Sequence, residues 1–383
     1  MATRTLLYDR HVALGGRMVE FAGWMLPVQY PPGPNAEHQQ VRQAAGLFDI
    51  DHMGQVVVSG PDALTFLNRV MTADVSRFGI GTAHYSLMCY ADGGVVDDTF
   101  IYRLDANRYF VAVNASNNAK DTHWLNYHRQ AQERVVIENV SESTYMLSLQ
   151  GPRAQDILAP LVDAALDRLK FHRAVETWLL TSPRVRVLIG RTGYTGEDGF
   201  ELFFPTENAG LVWDTLMEAG RPFDLAPIGL AARDSLRFEP CMPLYGQEIS
   251  ATIDPLQAGL GFGCALDKEH FIGRDALLKV QLEGPHRQLV GFEMLQGGVA
   301  RHGYPIVIDG AVQGEVTSGM YSPTLDKMLG LAYIPSQYAA IAEEIGVQIR
   351  DSVKPARTIA KPFYQPSYRK SIAQRSRHAE LPK

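Results

Sequence analysis

Arg191-Thr-Gly-Tyr-Thr-Gly-Glu-Asp-Gly-Phe-Glu201 runs directly into Leu202-Phe203-Phe204. Glycines at 193, 196 and 199 precede a run that reads as a strand from Glu201 to Phe204. Glycines this dense allow positive φ and a close approach of backbone to a flat ligand. Glu201, at the strand entrance, is an acceptor-only group that could take two hydrogen bonds from a planar N–C–N edge. Aminopterins carry such an edge. A glycine-rich hairpin with a solvated glutamate fits the same letters.

Outward from this stretch, further runs read as strands: Gln55–Ser59, Tyr85–Tyr90, Val95–Leu104, Tyr109–Asn114, Tyr145–Leu149 and Arg184–Ile189. Leu6–Leu14, Pro61–Met71, Pro152–Leu161 and Gly210–Ala219 read as helices. So does Asn35–Gly46, with Asn35 as N-cap and Gly46 as the stop. Strands do not alternate strictly with helices, which predicts an α+β fold with antiparallel sheets. Residues 282–287 have linker composition, and the short strands beyond them predict a small β-barrel or sandwich. After Pro362 the chain turns basic and polar, as in a loosely held tail.

The 383 residues suffice for two or three domains. A net charge of −6 argues against a nucleic-acid partner. No apolar run is long enough to span a membrane, and MATRTLLYDR lacks the apolar core of a leader, so a cytoplasmic protein is expected. Cys89, Cys241 and Cys264 are too scattered for a disulfide framework or a metal site.

Gly93-Gly94-Val95-Val96-Asp97-Asp98-Thr99-Phe100-Ile101-Tyr102 puts two acids in one strand. By alternation Asp98 shares a face with Phe100, Tyr102 and Leu104, and Asp97 faces the other way. An acid among aromatics on a half-buried face needs a partner, which favours Asp98 as the functional one. The alternative is that both acids cap the turn after Gly93-Gly94.

Together these segments resemble the glycine-cleavage T-protein family of tetrahydrofolate-dependent aminomethyltransferases. The resemblance runs from about Leu7 to Tyr364. It is carried by LYDRHVALGGRMVEFAGW near the start, GGVVDD at 93–98, GRTGYTGEDGFEL at 190–202, ARDSLRFE at 232–239, PLYGQEI at 243–249 and TSGMYSPTL at 317–325. It implies a three-domain cloverleaf around a central folate channel. Residues 1–48 and 140–280 would form a split first domain, 49–139 an inserted second one, 285–365 a C-terminal β-barrel and 366–383 a flexible basic tail. It implies that Asp98 is the key catalytic residue, that Glu201 binds the pterin edge and that Arg233 lies at the folate site. Tyr85, Tyr102, Asn114, Tyr194, Met53 and Met242 match further pocket positions. Tetrahydrofolate is the implied co-substrate and a lipoylated H-protein the implied partner. An acidic partner would need a basic patch, for which the tail is a candidate. A monomer is expected.

Three differences from the family pattern stand out: Asp51 in place of a serine, Ala231 in place of a glycine, and Pro240-Cys241 in place of Ala-Gly. Asp51 could cap a turn or alter the choice of donor. Two other functions therefore stay open: a folate-dependent demethylase of a small methylated compound, and a non-catalytic folate-binding protein of iron–sulfur assembly. The latter is disfavoured, because its Lys-Gly-Cys signature is missing around Cys241.

Overall fold

A computed structural model describes residues 2–366 and 368. Its largest open sheet has the order Ala174–Leu179, Val185–Gly190, Gly199–Pro205, Thr144–Gln150, Ala45–Asp49, Leu225–Pro227. Every pair in it is antiparallel except the last, which is parallel. A second, antiparallel sheet has the order Thr82–Cys89, Val95–Asp105, Arg108–Val113, Gly54–Ser59, Val136–Asn139. Three short strands near the N-terminus pair separately, in the order Thr3–Arg4, Trp24–Gln29, Arg17–Phe21. The strands from Arg287–Met294 to Ser352–Ile359 close into a six-stranded barrel.

Each sheet buries one face under helices. Trp213 and Leu216, from helix Ala209–Gly220, pack with Ile157 of helix Ala154–Leu158 and with Leu147 and Leu202 on the first sheet. Phe66, Leu67 and Val70, from helix Ala63–Val70, cover Val56, Ile101 and Val111 of the second. The other faces meet each other: Phe48, Met146 and Phe203 of the first sheet pack against Tyr102, Phe110 and Ala112 of the second. A further cluster joins Leu87 and Val95 of the second sheet to Phe238 and to barrel residues Leu289, Leu331 and Tyr333. Both open sheets thus have two buried faces, so their strands are apolar on both sides rather than strictly alternating.

Two expectations are corrected. The helix predicted over Asn35–Gly46 spans Pro34–Gln43 and has no side-chain cap, with Pro34 in its first turn. The chain is already a strand at Ala45–Asp49. Gly46 does not stop the helix; a Cβ there would lie 2.4 Å from Ile228 and 2.6 Å from Val41, so it is needed for close packing. The linker is shorter than predicted, because helix Arg274–Glu283 runs to the residue before Gly284 and the barrel begins at Arg287. Apart from Pro366 and Tyr368, the basic tail lies outside the described residues.

The barrel is fixed to the rest by charge. Arg237, on helix Leu230–Phe238, is 1% exposed. Its Nη1 donates to Glu248 at 2.8 Å, its Nη2 to Ser318 of the barrel at 3.0 Å and its Nε to Asp234 at 2.8 Å. Replacing Arg237 by Met would leave Glu248 buried without its cation, at a cost of about 3–5 kcal/mol. Denaturant unfolding of Arg237→Met should show this loss; a change under about 1 kcal/mol would mean that the pair does not hold the junction.

Candidate functional site

The strand Val95–Asp105 carries the acids seen in the sequence, and the pleat separates them as alternation predicts. Asp97 is fully buried, whereas Asp98 is half-buried. Neither caps the turn: Gly94 N donates to Asp92 Oδ1 at 3.1 Å instead. Asp98 Oδ2 accepts from the Tyr85 hydroxyl at 3.0 Å, and its Oδ1 accepts from Asn114 Nδ2 at 2.7 Å. The same Asn114 nitrogen donates to Asp97 Oδ1 at 2.9 Å. Desolvation and then the charge of Asp97 push the Asp98 carboxyl up to about 7, against the pull of the Asn114 and Tyr85 bonds. A carboxyl poised there can give or take a proton near neutral pH.

Glu201 lies on the strand Gly199–Pro205 of the other sheet. Its Oε2 accepts from Thr192 at 2.6 Å and from the Tyr102 hydroxyl at 3.0 Å. Among the described residues no hydrogen bond to Oε1 is recorded, so one edge of the carboxylate stays open. Thr192 was passed over in reading the sequence, although it lies inside the opening stretch. Two of the three glycines of that stretch act otherwise than expected. A Cβ at Gly193 or Gly199 would fall within about 2.5 Å of the Gln150 side chain. Gln150 fills the loop from inside, donating to Thr192 O at 3.0 Å and accepting from Thr195 at 2.9 Å. Gly193 and Gly199 therefore make room for a buried amide rather than for a ligand, while Gly196 takes the positive φ expected of it, +83°.

Arg233 lies on helix Leu230–Phe238 with its guanidinium 4.8 Å from the centroid of the Tyr194 ring. No carboxylate pairs with it among the described residues, and burial lowers its pKa. Tyr194 donates to Pro243 O. The charges of Asp98 and Arg233 both reach Tyr194, and that of Glu201 reaches Arg233, so these groups border one region. Met53 packs on the edge of the cluster that contains Tyr102. Met242 is tied to Arg237 through its backbone.

Asp51 is not the turn cap: Asp51 N donates to Asp49 Oδ1 at 3.2 Å, which makes Asp49 the cap. The Asp51 carboxyl accepts from Met146 N at 3.4 Å. Burial, and then Asp49, push it up to about 9. A raised folded-state pKa favours the fold at low pH, and that contribution is lost as pH rises from the ordinary 3.8 through about 9. Asp51→Ser should therefore match the wild type in Tm at about pH 4 and gain on it steadily up to about pH 9. A pH-independent difference would mean that the carboxyl is solvated.

Residues 7–268 match the family model described as the GCVT N-terminal domain, and residues 287–365 match the glycine cleavage T-protein C-terminal barrel domain. The chain is 47% identical to an aminomethyltransferase of Symbiobacterium thermophilum over 375 residues, 96% of this chain and 98% of that one. It is 47% identical to that of Herpetosiphon aurantiacus over 368 residues, 96% and 99% of the two chains. Its fold matches the crystal structure of glycine cleavage system aminomethyltransferase T from Bartonella henselae with a TM-score of 0.88 at 30% identity, covering 95% of this chain and 99% of that one.

Proposed function

The chain belongs to the glycine cleavage T-protein family, and from that membership and the geometry around Asp98 we infer its reaction. It is an aminomethyltransferase that moves a one-carbon unit to tetrahydrofolate with release of ammonia. The donor is the aminomethyl group on the lipoyl arm of an H-protein. The observation that carries the assignment of Asp98 is its carboxyl, desolvated and held by Tyr85 and Asn114.

The residues present suit a folate. Among the described residues Glu201 Oε1 has no donor and the Arg233 guanidinium no carboxylate, two unspent polar groups facing one region. Glu201 would accept from the pterin N–C–N edge, fixed in orientation by Thr192 and Tyr102. Arg233 would meet the anionic part of the ligand. When bound, tetrahydrofolate supplies the nucleophilic nitrogens that receive the carbon. Asp98, as carboxylate, would orient one of them and accept its proton. Tyr85 and Asn114 hold that carboxylate in one rotamer, so that positioning precedes proton transfer. Tyr194 and Met53 would contribute apolar surface, and Met242 would act through Arg237.

Two departures that kept a demethylase open have local explanations. Asp51 bonds to the Met146 backbone. Pro240 packs on Gly196, where a Cβ would lie 3.2 Å from its ring. Among the described residues no helix is long and apolar enough to cross a membrane. A cytoplasmic monomer remains our expectation.

The purified chain, given tetrahydrofolate and aminomethyl-lipoyl H-protein, should release ammonia and methylenetetrahydrofolate in equal amounts. Folate binding without turnover of that donor would overturn the reading. Asp98→Asn should cut kcat by about 10²-fold or more with folate affinity nearly intact. The wild-type rate should climb with pH along an acid limb near 7 that Asp98→Asn abolishes. Glu201→Ala should instead weaken folate binding by roughly 10–100-fold, and wild-type affinity would refute the pterin contact.

A further inference from the structure

Helix Asn118–His128 buries an acid against the strand that carries Asp98. Asp121 has no exposed surface, and no N–H or O–H group among the described residues reaches either of its oxygens. It does lie within hydrogen-bond reach of the Asp97 carboxyl, which is also fully buried. Two acceptor-only groups cannot bond to each other, so a contact between them requires a proton on one. Three N–H donors favour Asp97 as the anion: Asn114 N at 3.1 Å, Asn114 Nδ2 at 2.9 Å and Asn117 Nδ2 at 2.6 Å. Asp121 has none, and burial followed by the bond to Asp97 drives its carboxyl up to about 11.

The other groups around the pair do not replace that proton. Lys120, on the same helix, lowers the Asp121 pKa only in part. Its ammonium is engaged by Val96 O at 2.5 Å and lies 4.1 Å from the Tyr245 ring centroid. The strand Val95–Asp105 contributes only negative charge, from Asp97 and Asp98. Asn114 and Asn117 are neutral, and Tyr245 faces the pair as a neutral phenol whose pKa burial and both acids raise. Asn114 carries the arrangement onward: its amide nitrogen serves Asp97 and Asp98 together, which requires both oxygens to be acceptors.

We propose that Asp121 is a positioning residue for the transfer reaction: a buried carboxylic acid that keeps its proton, donates an O–H hydrogen bond to Asp97, and so keeps Asp97 an anionic acceptor that holds Asn114 on Asp98. The proposal rests on the role of Asp98 given above. It makes the compensation of the Asp97 charge, and through it the proton affinity of Asp98, depend on a residue that never meets substrate.

Two substitutions separate this from mere filling of space. Asp121→Asn keeps an N–H donor where the acid had O–H; Asp121→Leu keeps the volume without a donor. D121N should retain kcat within about threefold and leave the acid limb in place. In D121L, Asp97 keeps its three N–H donors but loses the O–H donor, so its buried charge is less well compensated. That charge then bears more heavily on Asp98, whose acid limb moves about one unit or more to higher pH, and kcat drops about tenfold or more as Asn114 is drawn from Asp98 toward Asp97. Equal losses in both variants with an unmoved limb would overturn the proposal. Infrared difference spectroscopy, wild type against D121N at pH 8, is independent of turnover and of whether D121L folds. The difference should contain a protonated-carboxyl band of the wild type, that of Asp51 being common to both proteins and cancelling, and no such band would overturn the proposal. Failure of the wild type in the donor assay would instead refute the reaction assigned above and leave that band unaffected.

Discussion

Two buried guanidinium groups fix where everything else sits. Arg42 reaches Glu197 at 3.0 Å and Glu239 at 2.8 Å, and Arg237 reaches Glu248 at 2.8 Å. All five side chains are at most 4% exposed. His38 adds a contact to Glu239 at 3.2 Å. Burial alone would push the Glu239 carboxyl up; the His38 bond and the charge of Arg42 overcome it and hold it near 2. The cluster draws together helix Pro34–Gln43, the glycine loop, helix Leu230–Phe238 and the barrel residues Ser318 and Thr324. A buried ion pair adds little net stability over an apolar pair of the same shape. Separating its members is costly, however, because each stranded charge stays dry. The cluster therefore acts on geometry: none of these elements can slide without breaking it.

The groups proposed to meet substrate take their positions from that junction. Glu201 follows Glu197 by four residues, and Arg233 lies about one helical turn before Arg237. Arg233 is kept available by what surrounds it. Asp49 lines a small cavity with Arg233 and is the obvious carboxylate to neutralise it. Yet Asp49 Oδ2 already accepts from Thr5 at 2.8 Å and Tyr145 at 3.1 Å, with His11 at 2.9 Å, and its Oδ1 accepts from Asp51 N. A carboxylate held this firmly by other partners leaves the guanidinium to a ligand.

Much of this was legible in the sequence, and the limits have physical causes. The period of two placed Asp98 and Asp97 on opposite faces, because strand pleating is local. The pattern after residue 287 gave a β-rich C-terminal unit, and the structure closes it into a barrel. The boundary at 43–46 was misread because glycine can end a helix or admit a neighbour, and only the position of Ile228 decides between them. The loop glycines posed the same ambiguity, resolved by Gln150 from a strand about forty residues upstream. Asp121 gave no signal at all. An acid near the start of a helix normally reads as dipole compensation facing water, and its burial depends on which strand the helix covers.

Asp98 and Glu201 belong to different sheets, and one side chain joins their frames. Tyr102 follows Asp98 by four residues on the same strand, a span of roughly 13 Å along the backbone. Its ring packs edge-on against Phe110 of its own sheet and Phe203 of the other, and its hydroxyl reaches Glu201 at 3.0 Å. Fully buried and bonded at its tip, it has no freedom to let one sheet move relative to the other. The separation between the acid proposed for proton transfer and the one proposed for the pterin edge is therefore set by the reach of a tyrosine. Gly190 shows how tightly: a single Cβ there would come within 2.6 Å of the Tyr102 ring. A methyl group at that point, touching neither acid, would force the ring aside and change the distance across which both must meet one ligand.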